Sequence, residues 1–514
     1  MKKFLNFIFS TRFLMYFMLT INVALIFVVS CFPKAAISSV VVSIVLFLIL
    51  IFSLNNPVDN PSYKLIWALL ISILPLFGLV LFVNLKSQRA TPNKRKLWND
   101  IHFKSSELLD QDMQTLTDIR SLPRQELRQN LYILSHTGMP VYDGTYCTYL
   151  PTGHDYLEKM ISSLKSAEKY IFMESFIVAP GKIWNEIFEI LKEKAQSGVE
   201  IKLLIDDTSS LYFPDKTTFN KLNNHGIETV VFNNMSRLSR MSNHRDKRKL
   251  IIVDGEVCYT GSINIADEYA NITENGIFYK DSGVMIQGKA VWNYIVMFLN
   301  MWQFATENKY TINYTKYKST KELELSKAKE KERQYVQPFG TTPFENDLIC
   351  RNTFLNMINS AKYSIKLTSP DFILDDEMSL ALRMAAKSGI DISIILPSKS
   401  DKDWLFSVSR AYLPELIKCG VKIYQYTPGL IHSKLMICDS FSALIGSLRF
   451  DFRNMYLNFE NGVLIHRGKI IKDMEADFNN IITQSHLLTL KDLKKLPFKD
   501  KFKGSLGKFF APIS

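Results

Sequence analysis

A histidine and a lysine stand two residues apart in Gly429-Leu430-Ile431-His432-Ser433-Lys434-Leu435-Met436-Ile437-Cys438-Asp439, and Ile445-Gly446-Ser447 follows shortly after. In an extended chain successive side chains alternate, so His432 and Lys434 share one face of this apolar run. Imidazole can serve as nucleophile or proton carrier near neutral pH, and an ammonium is a persistent cation that holds phosphate oxygens. The pair therefore suits phosphodiester chemistry, with Asp439 just past the strand. Taken alone, the spacing H-x-K-x4-D fits a surface histidine on an edge strand equally well. The rest of the chain decides between the two.

The elements that must position these residues occur twice. Ser163-Leu164-Lys165-Ser166-Ala167-Glu168-Lys169-Tyr170-Ile171 is echoed by Ile358-Asn359-Ser360-Ala361-Lys362-Tyr363-Ser364-Ile365, and the β-rich run after Gly198 by the one after Gly389. The run after Gly226 has its counterpart after Gly420. Each echo reads as a helix end, a glycine and a strand, in the same order both times. Two α/β halves are expected, each a mostly parallel sheet flanked by helices. The repeat also points to a second motif at Lys247-Arg248-Lys249-Leu250-Ile251-Ile252-Val253-Asp254, followed by Gly261-Ser262-Ile263-Asn264. Lys249 and Asp254 keep the spacing, but Lys247 stands where the histidine belongs. His244 lies three residues further back, on the opposite face, and is a poor substitute.

Upstream of the repeat the composition changes. Residues 12–32, 36–54 and 64–85 are nearly uncharged apolar stretches, each about the ~20 residues that cross a bilayer as a helix. Lys86, Arg89, Lys94, Arg95 and Lys96 follow the third stretch. By the positive-inside rule the bulk of the chain is then cytoplasmic, giving a multi-pass cell-membrane protein. The six cysteines show no paired spacing, so neither a zinc site nor a disulfide framework is indicated. A net charge of +12 suits nucleic acid or an anionic membrane surface, and spanning segments favour the lipid. The expected organisation is a membrane domain (1–90), a connector (91–135), a first half (136–312), a charged linker (313–337), a second half (338–490) and a basic amphipathic tail (491–514). In the tail, lysines alternate with phenylalanines in the manner of an interfacial segment.

With both motifs and the membrane stretches in view, the chain resembles bacterial cardiolipin synthases, the membrane-bound branch of the phospholipase D superfamily. The likeness also covers Asn60-Pro61-Ser62-Tyr63-Lys64-Leu65-Ile66-Trp67, Leu74-Pro75-Leu76-Phe77-Gly78, Val336-Gln337-Pro338-Phe339-Gly340, Ser369-Pro370-Asp371-Phe372-Ile373 and Leu457-Asn458-Phe459-Glu460. The resemblance implies transmembrane helices followed by two phospholipase-D-like α/β repeats that form one bilobal catalytic unit. It further implies that two phosphatidylglycerols become cardiolipin and glycerol, through a phosphohistidine and without metal or nucleotide. On the family pattern His432, Lys434 and Asp439 of one motif act with Lys249 and Asp254 of the other. Asn264, Ser262 and Ser447 attend the phosphate. Glu460 takes the place of the carboxylate that orients the second histidine, and Asp281 the matching place in the first half.

Departures from that pattern bear on activity. Lys247 replaces the first histidine, Arg449 stands where the second asparagine belongs, and Tyr279 replaces a tryptophan before Asp281. Lys247 beside Asp281 is expected to form an ion pair that keeps its ammonium charged. Three arrangements stay open. His432 is the nucleophile and Lys247 or a water the acid; or the missing histidine comes from a partner chain, a second copy or an intact relative; or the protein binds anionic phospholipid without turnover, Lys247 and Arg449 gripping the headgroup. A phosphodiesterase acting on nucleic acid is the remaining alternative from the superfamily, and the apolar stretches weigh against it.

Overall fold

In a computed structural model of the chain the described residues are 61–73 and most of 92–511, with gaps at 123–125, 214, 216–217, 234–243, 273–276, 310–311, 320–332, 346 and 400–402. Ile44, Leu48, Gly78 and Phe82 are isolated described positions. The apolar stretches 12–32 and 36–54 thus lie outside the described residues but for Ile44 and Leu48, and 64–85 is described only in part. Among the described residues no helix is long and apolar enough to cross a membrane. The chain divides into two compact units, one of residues 1–93, 235–243 and 509–514, the other of 94–234 and 244–508. In the first unit, helix α1 (Pro61–Ile73) buries Trp67 and Ile71 with Phe82, the two aromatic rings meeting edge-on at 5.1 Å.

The second unit contains both repeats. The first is a seven-stranded sheet of β1 (Thr145–Leu150), β2 (Tyr170–Ser175), β3 (Glu200–Asp206), β4 (Ile227–Phe232), β5 (Leu250–Val253), β6 (Val257–Gly261) and β8 (Gly283–Gly288), in the order β1-β8-β6-β5-β2-β3-β4. A short strand, β7 (Phe278–Lys280), precedes β8 and lies outside this sheet. The second repeat follows the same plan with β9 (Tyr335–Thr341), β10 (Ser364–Thr368), β11 (Asp391–Pro397), β12 (Lys422–Tyr426), β14 (Leu435–Cys438), β15 (Ser442–Gly446) and β16 (Glu460–His466). Its order is β9-β16-β15-β14-β10-β11-β12, with β17 (Ser485–Leu487) added at the edge beyond β12.

The expectation of mostly parallel sheets is corrected. In the first sheet only β2–β3 and β3–β4 run parallel, while β1–β8, β2–β5, β5–β6 and β6–β8 are antiparallel. The cause is local: Asp254-Gly255-Glu256 and Asp439-Ser440-Phe441 are too short to be crossovers, so β5–β6 and β14–β15 close as hairpins.

Helices α2 (Gly153–Lys165) and α3 (Lys182–Gln196) cover one face of the first sheet with regularly spaced apolar residues such as Leu157, Met160, Leu164, Ile187 and Leu191. Helix α4 (Val291–Ala305) is apolar nearly all round because both of its sides are covered. Phe298 stacks on Phe172 of the first sheet, and Asn293 donates to the Pro338 carbonyl of β9 at 3.1 Å. In the second repeat, α5 (Asp403–Lys418) connects β11 to β12, and α6 (Phe498–Phe510) is the last helix. Residues 314–317 also pack on the first half, Tyr317 donating to Glu200 at 2.7 Å, and β9 begins at Tyr335. The charged run between them, 320–332, lies outside the described residues.

Candidate active site

The seam between the repeats is built by backbone pairing. Strand β7 of the first half lies parallel to β13 (Gly429–Ile431) of the second, and the His432 and Ser433 amides both donate to the Lys280 carbonyl, at 2.8 and 3.0 Å. The mirror contact is a bridge from Asp246 to Phe459, with the Lys247 amide on the Phe459 carbonyl at 2.9 Å. His432, Ser433 and Lys434 form an extended link between β13 and β14 rather than part of one long strand. Alternation survives in it: Lys434 Nζ lies 3.3 Å from His432 Nε2, whereas Ser433 turns the other way to meet Ser282 of the first half, their hydroxyls 2.5 Å apart.

This pairing crosses the carboxylates, which corrects the expected assignment. Asp281, placed beside Lys247 by the sequence, instead accepts from His432 Nδ1 at 2.7 Å. Glu460, placed beside His432, instead lies on the Lys247 and Lys249 side, where burial raises its carboxyl above the ordinary range against the pull of both ammonium groups. The register is the reason. The residue after Lys280 must come up beside His432, and the residue after Phe459 beside Lys247. Ser262 donates to Asp281 and Ser447 to Glu460, so each carboxylate is held by a serine of its own half.

Burial drives His432 below its ordinary range, only partly offset by Asp281, to about 4. Burial would raise Asp281, but the charges of His432 and Lys434 and the hydrogen bonds from His432 and Ser262 outweigh it and hold the carboxyl at about 2. At neutral pH the pair is thus a neutral imidazole donating Nδ1–H to an ionised carboxylate, with the Nε2 lone pair on the Lys434 side. Each motif lysine turns back to its own motif, Lys434 Nζ donating to the His432 carbonyl at 3.0 Å and Lys249 Nζ to the Lys247 carbonyl at 2.9 Å. Burial lowers Lys249 to about 8 against the pull of Glu460, and lowers Lys434 well below the usual lysine range. Lys247 Nζ donates to Asn454 Oδ1 at 2.5 Å, and the Lys247 and Lys249 ammonium groups lie 5.7 and 5.6 Å from the Phe176 ring centre. Arg449 donates to Asp371 at 2.5 Å. Among the described residues, Glu460 Oε1, Asn264 Oδ1 and Arg449 Nε are buried at the site with no hydrogen-bond partner.

Two residues expected at the site are elsewhere. Asp254 accepts from the amides of Glu168, Lys169 and Tyr170 at 2.7–2.8 Å, and Asp439 from those of Lys362, Tyr363 and Ser364 at 2.7–2.9 Å. A four-residue strand separates each from its motif lysine, roughly 15 Å at the rise of an extended chain. Both turn the hairpin with positive φ, 53° and 56°, a conformation that aspartate tolerates better than most residues. They tie the hairpin to the neighbouring strand. His244 packs its ring on Phe344, at 5.6 Å between centres, and supplies no second imidazole.

Asn454, Asp371, Phe176, Ser282, Ser433 and Tyr269, whose ring centre is 5.2 Å from that of His432, were not singled out by sequence reasoning. Ser433 had a signal, since the residue between His432 and Lys434 must face away from the cleft. Phe176 and Asn454 had none, because each reaches the site only through tertiary folding.

A family profile described as "Cardiolipin synthase, PLD-like domain" matches residues 160–302 and 354–482. An uncharacterized protein of Streptococcus mutans is 32% identical over 90% of this chain and 99% of its own length. A cardiolipin synthase of Halalkalibacterium halodurans is 32% identical over 86% of each. Among solved structures, phosphatidylserine synthase of Haemophilus influenzae superposes with a TM-score of 0.58 at 14% identity, covering 76% of this chain and 97% of that one. This last likeness bears on the fold alone.

Proposed function

Because the chain belongs to the family of cardiolipin synthases with phospholipase-D-like domains, we propose that it is a membrane-bound phosphatidyltransferase that converts two phosphatidylglycerols to cardiolipin and glycerol. The observation that carries this reading is the 2.7 Å bond from His432 Nδ1 to Asp281, which leaves Nε2 unprotonated beside a lysine. His432 Nε2 attacks phosphorus, and the phosphorus–oxygen bond to glycerol breaks as the nitrogen–phosphorus bond forms. The Lys247 ammonium gives the departing alkoxide its proton. The resulting amine then takes the proton of the second lipid's hydroxyl as that oxygen displaces His432. Lys249, Lys434, Asn264 and Arg449 hold the phosphate oxygens, and Ser262 and Ser447 fix the two carboxylates. On this reading the apolar stretches 12–32, 36–54 and 64–85 anchor the chain in the cell membrane, with the catalytic part on the cytoplasmic side.

A second reading is supported by the same seam. Glu460 Oε1 has no hydrogen-bond partner where Asp281 Oδ2 has an imidazole, and Lys247 is engaged by Asn454. The half-site that would manage the proton is therefore altered, which suits binding of anionic phospholipid without turnover. Expression in cells lacking other cardiolipin synthases, with lipids read by mass spectrometry beside a His432→Ala control, separates the two. Cardiolipin that depends on His432 supports the transferase. Its absence from cells holding the folded, membrane-inserted protein supports the binding protein.

A further inference from the structure

Among the described residues, helix α6 packs on α5 through its Gly504 and Gly507 side. A Cβ at Gly504 would come within 2.5 Å of the Ser407 carbonyl oxygen, and one at Gly507 would collide with Val408 and meet Trp404, so both glycines lie flush against α5. At about 100° per residue Phe498, Phe502 and Leu506 fall within one ~80° stripe on the other side of the helix. They are 81%, 58% and 41% exposed, a row of large apolar side chains left open among the described residues. Phe498 and Phe502 stack on one another at 6.3 Å between ring centres. Lysines border the stripe on both sides, Lys499 and Lys503 along one flank and Lys501 along the other.

Placement adds a second observation. Gly504 meets Ser407 and Gly507 meets Val408 and Trp404, so this turn of α6 crosses the start of α5, while Lys508 reaches over the Tyr412 ring at 4.6 Å. That start follows β11, which is parallel to β10. At the same end of the sheet Thr368 of β10 accepts from the Leu435 amide at 3.1 Å and lies 3.3 Å from the Ser433 hydroxyl. Trp404, itself 41% exposed, lies in the first turn of α5 against Gly507.

We propose that the Phe498, Phe502 and Leu506 stripe is a docking surface for an anionic bilayer, inserting at the headgroup boundary with its lysines on the lipid phosphates, and so brings the sheet end that carries His432 to the membrane surface. An apolar row between two lines of cations fits the boundary between acyl chains and anionic headgroups. A protein partner of ordinary composition would leave both lysine flanks unmatched. The inference stands on this surface and does not depend on turnover at His432.

The test uses the full chain in vesicles of phosphatidylcholine with phosphatidylglycerol, carrying a nitroxide at a Phe502→Cys position after Cys31 and Cys419 are replaced. A label at Tyr363→Cys, beside the Asp439 turn, is the reference. The expected result is a label at 502 several-fold more accessible to oxygen, and less to a water-soluble nickel chelate, than the label at 363. Replacing Lys499, Lys501 and Lys503 by Glu, or leaving out the phosphatidylglycerol, should remove most of that difference. A label at 502 as open to the chelate as the one at 363 overturns the proposal. So does shielding that is indifferent to lipid charge and accompanied by spin–spin broadening, which would make a second copy of the chain the occupant.

Discussion

A neutral imidazole whose Nδ1–H is held by an ionised carboxylate can attack phosphorus only while both protonation states last. With His432 at about 4 and Lys249 at about 8, kcat/KM for phosphatidylglycerol should be bell-shaped. The acid limb marks protonation of the nucleophile, and the alkaline limb loss of a phosphate-binding charge. Lys249→Arg should move the alkaline limb upward and leave the acid limb in place, as pH profiles of the two proteins would show. Asp281→Asn should lower kcat by about 10²–10⁴-fold with little change in KM, since the amide disturbs the tautomer rather than the binding set. Lys247→His should raise turnover by roughly 10²-fold, because the new ring would find Glu460 Oε1 waiting for its N–H; single-turnover kinetics would register it, and no gain would argue that Lys247 already does the histidine's work. The sign for stability follows separately. Folding lowers His432 from 6.5 to about 4, so the folded state binds fewer protons, and the stabilisation present above about 6.5 is lost as pH falls through about 4.

Two elements carry the motif without doing chemistry. The β5–β6 and β14–β15 hairpins are each tied to the neighbouring strand by an aspartate that accepts three backbone amides. Asp254→Ala should therefore cost about 2–3 kcal/mol, seen as a lower urea midpoint, with KM unchanged in the fraction that stays folded. Asp254→Asn should cost less, because asparagine tolerates the same positive φ. The D of H-x-K-x4-D was legible as a position but not as a role, since spacing along a strand cannot tell a reacting carboxylate from one that caps the next strand. The repeats were legible because helix, glycine and strand recur in the same order. Strand direction was not, because it turns on the three-residue hairpin turns rather than on the hydrophobic runs. The pairing of Asp281 with His432 was hidden for a related reason: register between β7 and β13 joins residues some 150 positions apart, and no local pattern records it.

At the scale of the molecule the two repeats meet along one seam. Helix α4 packs against the first sheet and donates to β9 of the second repeat, and the His432–Asp281 pair takes one residue from each repeat. Cutting the chain within 320–332 should leave activity intact after co-expression of the two pieces, whereas either piece alone should show none; lipid analysis of cells making one or both would decide it. The crossed bond has a further consequence. His432 is aimed by a carboxylate anchored in the opposite repeat, so a slight shear of one repeat over the other would lengthen Nδ1···Oδ2 and disarm the nucleophile before either sheet was disturbed. On the phosphatidyltransferase reading the bond would then act as an alignment gauge: forces applied at the outer surfaces would throttle the chemistry while each side chain of the pair kept its own rotamer.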